Sequence, residues 1–228
     1  MLTAANRQPN QSSSMAASPL PTLSIERELH QKQGRQYIAG LDEAGRGALA
    51  GPVVAAAVIL PLGVNDLAER LGQVNDSKLI TAKRRDSLYE LIIGEALAYG
   101  LGVVPAAQID EIGILAANNQ AMLTAVAQLE PQPDFLLVDG PLYLRGSLLP
   151  QKPVIRGDRL SLTIAAASIL AKVHRDRLML ELDGQFPQYG FARHKGYATR
   201  AHQAAVAQHG PLAIHRHSFA PIRRRLIQ

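Results

Sequence analysis

The sequence predicts an α/β domain, and three observations indicate that class. Short β-branched and apolar runs, at residues 53–60 and 135–138, have the length of strands. Longer stretches with apolar residues at helical spacing lie between such runs, the longest over residues 161–182. Two predicted strands deliver acidic residues at their carboxyl ends, Asp42 and Asp139. Ligands of open α/β sheets bind at the carboxyl ends of strands, so these acids indicate a functional site.

The chain divides into a short N-terminal segment and one sizeable domain. It has 228 residues, of which 47% are hydrophobic. Residues 1–33 are rich in Ser, Pro, Asn and Gln and lack sustained periodicity, so we predict a mostly disordered extension, compatible with a short helix near residues 25–30. The domain is expected to cover residues 34–228. The absence of Cys, of a membrane-length apolar run and of a secretory signal leads us to expect a cytoplasmic protein.

The first half of the domain is predicted to open with an antiparallel hairpin. Its first strand covers residues 37–41 and ends at Asp42, and its second covers 53–60. A turn that contains Gly45 and Gly47 joins them. Thr81 is a suitable N-cap for a helix over residues 82–98. A strand at 99–104 follows, and then two helices separated at Gly113, the second over residues 114–129.

The second half is predicted to contain two more strands and a helical end. The strands cover residues 134–138 and 153–155, and the long helix over 161–182 follows them. Thr199 is a suitable N-cap for a helix that ends before Gly210, and a short basic helix closes the chain.

The acidic residues are the candidate catalytic groups. Asp42 and Glu43 are adjacent, and neighbouring side chains of a flat strand point to opposite faces, so both can reach one metal if the chain turns or bulges there. Asp139 follows a strand in the same way, and Asp158 precedes the long helix. Taken singly, each acid also fits a polar turn, and Asp158 also fits a residue that complements the helix dipole.

The charge distribution indicates an anionic partner. The net charge is +5, and no acidic residue follows Asp183. Such a basic flank beside an acidic centre predicts a polyanion held against the acids, although a solvated basic face is the alternative. Tyr197, between glycines and cations, can stack on a sugar or base. The cations of the tail are Arg193, Lys195, Arg200, Arg216, Arg223, Arg224 and Arg225, and the candidate phosphate contacts elsewhere are Ser77, Lys78, Lys172 and Arg175.

Taken together and in order, the motifs of residues 37–225 resemble those of bacterial ribonuclease HII, a type 2 ribonuclease H. Each motif is modest alone, but their order is specific. The segment Asp76-Ser77-Lys78 continues with Leu79 where a second Lys is frequent in the family, which weakens one minor phosphate contact. The other matching motifs are Asp42-Glu43-Ala44-Gly45-Arg46-Gly47, Val138-Asp139-Gly140, Gly157-Asp158 before Ile164 to Val173, His194-Lys195-Gly196-Tyr197 and His215-Arg216-His217-Ser218-Phe219.

The resemblance implies a ribonuclease H-like mixed five-stranded sheet flanked by helices, with a helical C-terminal extension. It implies hydrolysis of the RNA strand of RNA–DNA hybrids and incision of duplex DNA at embedded ribonucleotides. It places Mg²⁺ or Mn²⁺, in a two-metal site, on Asp42, Glu43, Asp139 and Asp158. It also assigns recognition of the ribose 2′-hydroxyl and of the RNA-to-DNA junction to the backbone of Gly45, Arg46 and Gly47 and to the ring of Tyr197.

Three alternatives remain at this point. Ribonuclease HIII carries a folded N-terminal domain and a Glu as its fourth acid, and Asp158 argues against it. A non-catalytic nucleic-acid-binding module would gain nothing from four acids, which weaken phosphate binding. A nucleotide-binding loop would require a glycine motif that the sequence lacks. We expect a monomer with no membrane partner, and no segment of the sequence identifies a sliding-clamp contact.

Overall fold

A mixed five-stranded sheet forms the centre of the computed structural model, which describes residues 20–64, 66–71 and 81–226. Its strands are β1 Ile38–Ala44, β2 Val53–Ile59, β3 Ala98–Val104, β4 Phe135–Asp139 and β5 Gln151–Val154. They lie in the order β3-β2-β1-β4-β5. β1 pairs antiparallel with β2, as does β2 with β3, whereas β1–β4 and β4–β5 are parallel. The predicted hairpin and fold class are confirmed.

Helices cover both faces of the sheet, and three of them form the predicted C-terminal extension. Thr81 and Thr199 accept hydrogen bonds from the backbone three residues ahead, so both predicted N-caps are confirmed. No helix in the described part of the chain has the length and hydropathy that a membrane span requires. The helices are α1 Ser24–Gln33, α2 Leu67–Arg70, α3 Ala82–Glu95, α4 Ala106–Ile112, α5 Ile114–Ala127, α6 Leu162–Gln185, α7 Phe191–His194, α8 Arg200–His209 and α9 Ala220–Leu226.

Alternate residues of the central strands supply two separate hydrophobic cores. Ala56 and Val58 of β2 pack with α3 and α6 on one face, while Ala57 and its odd-numbered neighbours pack with α5 on the other. At Gly40 of β1, an added Cβ would lie 2.3 Å from the carbonyl carbon of Thr163 in α6. The missing side chain therefore lets α6 lie against the strand that carries the first two acids.

Several predicted boundaries change. β1 continues to Ala44 in regular register, with Asp42 opposite Ala56 and Glu43 opposite Ala55, so the prediction that the strand ends at Asp42 is wrong. α3 ends at Glu95, before the predicted residue 98, because the backbone of Ala96 is extended and β3 starts two residues later. The strand predicted over 153–155 occupies Gln151–Val154 instead.

The N-terminal segment is more ordered than its composition indicates. Leu23, which directly precedes α1, and Leu29, in the middle of the helix, are buried. Thr22 bridges to Ser161, at the start of α6, and Glu26 is fully buried. The Glu26 Oε1 atom accepts hydrogen bonds from the hydroxyls of Ser161 and Thr163, each at 2.6 Å. The predicted domain boundary at residue 34 therefore falls too late, since residues 20–33 pack on the sheet; residues 1–19 lie outside the described residues.

We predict that Glu26→Ala lowers the free energy of unfolding by about 2–4 kcal/mol, because it leaves buried donors without an acceptor. The donors are the two hydroxyls and the backbone N–H of Thr163, which also points to Glu26. Urea unfolding of the full chain measures the change. Glu28→Ala on the exposed side of the same helix is the matched control and should leave stability nearly unchanged. Equal stabilities of the two variants would show that α1 is a peripheral element.

Candidate active site

The parallel pairing of β1 and β4 brings the predicted acids together. Leu41 pairs with Val138, so Asp42, Glu43 and Asp139 lie at neighbouring strand ends. All three line one cavity of about 690 Å³. The sequence prediction that these acids meet is therefore realised at the carboxyl edge of the sheet. The other lining residues are Ala44, Gly45, Arg46, Gly47, Ile114, Ser168, Lys172, Tyr197 and Phe219.

Adjacent acids both reach this cavity without a bulge in the strand. Their side chains point to opposite faces of the sheet, but the cavity is lined from both of these faces. Ser168 and Lys172 line it from α6 on one face, and Ile114 lines it from α5 on the other. The predicted turn or bulge at the acids is therefore unnecessary, and the turn comes after them.

Burial and like charge act on the two aspartates. Burial raises the pKa of Asp42 well above its usual range, and the negative charges of Glu43 and Asp139 raise it further. A hydrogen bond from the Ser168 hydroxyl and one from the Glu43 N–H, at 2.7 Å, oppose this shift. Burial and the charge of Glu43 also raise the pKa of Asp139, against hydrogen bonds from backbone N–H groups. The site thus concentrates negative charge that is unfavourable without a cation.

Asp158 lies beside Asp139 through the backbone. The Asp139 Oδ1 atom accepts a hydrogen bond from the Gly157 N–H at 2.7 Å, and the Asp158 N–H also points to that carboxylate. Asp158 is buried in a 3₁₀ turn and does not itself line the cavity. The N-cap of α6 is Ser161, whose hydroxyl accepts from the Ile164 N–H, so Asp158 is not the helix cap. Its predicted role as the fourth metal ligand stays a prediction.

The donor set fits a hard divalent cation. All the candidate ligands are carboxylate oxygens, which Mg²⁺ and Mn²⁺ prefer, and neither Cys nor His lines the cavity among the described residues. Burial and the charges of Glu43 and Asp139, which raise the pKa of Asp42, oppose its ionised form, and a bound cation would offset both effects. Within residues 20–64, 66–71 and 81–226, no group of three or more acidic, His or Cys side chains is placed to hold a metal ion.

The glycine turn after β1 is a tight, supported structure. Gly45 has a φ of +87°, and a Cβ there would lie 1.9 Å from the Nε atom of Arg175. Gly47 has neither a positive φ nor any neighbour within 4 Å of an added Cβ. Both glycines were predicted to permit the turn, but the steric and conformational need for glycine falls on Gly45 and not on Gly47. Arg46 forms a 3.2 Å ion pair with Glu43 at the cavity mouth.

Two arginines predicted to meet phosphate are instead buried supports. Arg175 donates to the carbonyls of Ala50, Pro52 and Lys195 at 2.9–3.1 Å. Arg216 donates to the carbonyls of Arg46 and Gly51, at 2.9 and 3.1 Å. Both side chains are fully buried, so neither offers its charge to solvent. Arg223 and Arg224 are exposed, as the prediction for the basic tail requires.

The remaining predicted contacts divide into three groups. Tyr197 lines the cavity, 37% exposed, with the Arg175 guanidinium 5.3 Å from its ring centre. Lys172 also lines it, but its ammonium group is 2.5 Å from Asp176, and burial lowers its pKa. Ser77 and Lys78 lie outside the described residues, so their predicted phosphate contact is untested.

Comparison with known proteins assigns the chain to a family. A family model described as Ribonuclease HII matches residues 39–222. The chain belongs to the ribonuclease HII family. It is accordingly a metal-dependent endonuclease of the ribonuclease H type, as the resemblance implied. A ribonuclease HII from Chloroflexus aurantiacus is 52% identical over 203 residues, which cover 89% of this chain and 95% of that protein.

Solved structures confirm the fold at lower identity. Ribonuclease H2 from Pyrococcus horikoshii gives a TM-score of 0.68 at 25% identity and covers 82% of this chain and 96% of that one. A ribonuclease HII from Archaeoglobus fulgidus, solved in complex with PCNA, gives a TM-score of 0.66 at 27% identity. That match covers 79% of this chain and 93% of the archaeal chain. The ribonuclease HII assignment displaces the nucleotide-binding and non-catalytic alternatives.

Sequence reasoning about this ribonuclease HII site missed Ser168. Its hydroxyl donates to Asp42 from the second turn of α6, and it lines the cavity. The available signal was a polar residue in the run Ala165-Ala166-Ala167-Ser168-Ile169, which lies on a helix with small residues against the sheet. The role of Arg216 was missed for a different reason, since its position in a basic tail resembles that of a solvated cation.

We predict that Asp42→Asn makes the metal-free protein more stable near neutral pH. Below the ordinary Asp value of 3.8 the carboxyl is protonated in both states, so the variant gains nothing there. Between that value and the raised pKa of the folded state, the folded wild type binds more protons than the unfolded wild type. The wild type therefore loses stability as pH rises through this range, whereas the variant has no such group to titrate. Urea unfolding with a chelator, between pH 4 and 8, measures the difference.

Asp134→Asn, at the opposite end of β4, is the control and should bring no such gain. A metal-free Asp42→Asn protein that is less stable than the wild type at pH 8 would contradict the charge repulsion inferred at the site.

Proposed function

We propose that the protein hydrolyses the RNA strand of RNA–DNA hybrids and incises duplex DNA on the 5′ side of embedded ribonucleotides. Its products would carry a 3′-hydroxyl and a 5′-phosphate. The observation that supports this most is a single cavity that combines three carboxylates, the glycine turn and Tyr197. Membership of the ribonuclease HII family makes RNA–DNA substrates the natural class. We further propose that it acts as a monomer in the cytoplasm.

We propose that Asp42, Glu43, Asp139 and Asp158 hold two divalent ions, Mg²⁺ or Mn²⁺. Such ions, when bound, supply an activated water and stabilise the charge of the leaving oxygen. The protein's own contribution is orientation. Ser168 fixes the carboxylate of Asp42, and the N–H groups of Gly157 and Asp158 fix that of Asp139. A scissile phosphate is then presented to carboxylates that cannot rotate freely.

The cations at the cavity mouth match a nucleic-acid strand. Lys172 lies on the α6 side of the cavity, and Arg46 lies opposite, at the glycine turn. Backbone N–H and C=O groups of Gly45, Arg46 and Gly47 would read the ribose 2′-hydroxyl, which is both donor and acceptor. The ring of Tyr197 would stack on the neighbouring deoxyribose and so favour an RNA-to-DNA junction. We assign no sliding-clamp contact to any segment of this chain.

We predict that Asp42→Asn and Asp139→Asn each reduce incision more than about 100-fold, because each removes a charged metal ligand at nearly constant volume. The assay is incision of a DNA duplex with one ribonucleotide, with and without divalent metal. The matched control, Asp134→Asn, should cut at the wild-type rate. Incision that persists in chelator, or full activity of either variant, would overturn the metal-dependent mechanism.

Tyr197 should determine the choice between substrates. We predict that Tyr197→Ala lowers incision at a single embedded ribonucleotide about tenfold more than cleavage within a long RNA–DNA hybrid, the loss expected for one stacking contact. Tyr197→Phe should retain part of the activity, because it keeps the ring and loses only the hydroxyl. Steady-state rates of the three proteins on both substrates provide the measurement. If Ala lowers both rates by the same factor, the ring is a general packing element and does not sense the junction.

A further inference from the structure

Three buried histidines lie directly behind Tyr197, and the proposed chemistry uses none of them. We call His194, His202 and His215 the histidine cluster. His194 ends α7, His202 lies on α8, and His215 follows α8 in the last loop. The rings of His194 and His202 stack with centres 4.4 Å apart. The Nε2 atoms of His202 and His215 are 3.1 Å apart.

The surrounding hydrogen bonds fix the proton on two of these rings. The Leu212 N–H donates to Nδ1 of His215 at 2.9 Å, so a neutral His215 carries its proton on Nε2. That proton faces Nε2 of His202, which must accept it. His202 therefore carries its own proton on Nδ1 and donates it to the carbonyl of Tyr197 at 3.0 Å. Each of the two rings has one donor and one acceptor, and both are used in this series of hydrogen bonds.

The neutral forms needed for this chain are favoured by their surroundings. Burial lowers the pKa of His215 to about 4, with a smaller contribution from the neighbouring His202. Burial also lowers the pKa of His202, although its hydrogen bond to Tyr197 opposes the shift. The ionisable groups next to His202 and His215 are the third member of the cluster, His194, together with His217 and the phenol of Tyr189.

The histidine cluster is hydrogen-bonded to the backbone of Tyr197 on both sides. The Tyr197 N–H donates to the carbonyl of His194 at 2.9 Å, and its carbonyl accepts from His202. The two residues before it, Lys195 and Gly196, both have positive φ, so this turn is tight. A Cβ on Gly196 would lie 2.5 Å from the carbonyl oxygen of Ala50. A shift of the Tyr197 backbone would therefore need the cluster or the neighbouring loop to move.

The same cluster is joined to the glycine turn on the other side of the cavity. His215 pairs with Ala50 in an isolated antiparallel bridge. The Arg216 N–H donates to the carbonyl of Leu49, and the Leu49 N–H donates to the carbonyl of Gly196, each at 2.8 Å. One set of contacts thus sets the separation between the two elements proposed to read the substrate.

We propose that His202 and His215 are positioning residues for substrate selection: through the carbonyl of Tyr197 they hold its ring at the place where it meets the sugar. This inference rests on the proposed junction-sensing role of Tyr197. It extends that role from the ring to the buried groups that aim it. Neither histidine is among the residues that line the cavity, so we expect them to affect the ratio of the two cleavage activities and not the chemical step.

The test is the ratio of incision at one embedded ribonucleotide to cleavage within a long RNA–DNA hybrid. We expect His202→Ala to lower this ratio about tenfold, the factor that corresponds to one hydrogen bond of ~1.4 kcal/mol. His202→Asn should restore at least half of the loss on a logarithmic scale, because its amide nitrogen replaces Nδ1 and can donate to Tyr197. His202→Gln places its amide at the Nε2 position and should resemble His202→Ala. His215→Ala should lower the ratio less.

Val206→Ala is the matched control, since Val206 is buried on the same helix and its side chain has no group that could hydrogen-bond to Tyr197. Melting temperatures identify conditions in which the two alanine variants are equally folded. An unchanged ratio in His202→Ala, or the same change in Val206→Ala, would overturn the inference, as would an Asn variant no better than Gln. The Asn–Gln comparison decides the matter even if His202→Ala fails to fold. A Tyr197→Ala protein with a wild-type ratio would instead refute the junction-sensing proposal itself.

Discussion

The buried guanidinium of Arg175 is the interaction on which the site depends. Arg175 lies in the middle of α6 and donates to the carbonyls of Ala50 and Pro52, after the glycine turn, and to that of Lys195, in the loop that carries Tyr197. Buried carbonyl groups need partners, and the two loops provide few for each other. The turn that contains Gly45 and the loop that carries Tyr197 are consequently fixed to one helix, and Gly45 is required because Arg175 occupies the space of its side chain.

The acidic side chains of the site are separated from the buried cations, which lowers the stability of the metal-free protein. Carboxylates collect at the ends of β1 and β4, where burial and mutual repulsion raise the pKa values of Asp42 and Asp139. The buried cations, Arg175 and Arg216, face backbone carbonyls behind the loops and do not neutralise the acids. Bound divalent ions would supply the missing positive charge, so metal binding and folding stability are coupled at this edge of the sheet.

The two elements proposed to read the substrate are also supported by the C-terminal extension. Arg216 holds the carbonyls of Arg46 and Gly51, and the adjacent His215 begins the hydrogen-bonded chain that ends at Tyr197. The C-terminal extension is therefore part of the site, although it contributes few groups to the cavity itself. Its exposed cations, Arg223 and Arg224, lie on α9, and its buried residues set the geometry.

Local sequence determined most of the secondary structure and the identity of the acids. Capping by Thr81 and Thr199, the break at Gly113 and the apolar strands depend on residues close in the chain, and these predictions agree with the structure. The order of motifs was enough to indicate the family. Tertiary structure alone decided which polar groups are buried, because burial depends on segments far apart in sequence. Glu26 accepts hydrogen bonds from Ser161 and Thr163, which are separated from it by 135 and 137 positions in the sequence. Arg216 donates to the carbonyls of Gly51 and Arg46, at separations of 165 and 170 positions. No local pattern distinguishes these side chains from solvated ones, and the same reason concealed the support that Ser168 gives to Asp42.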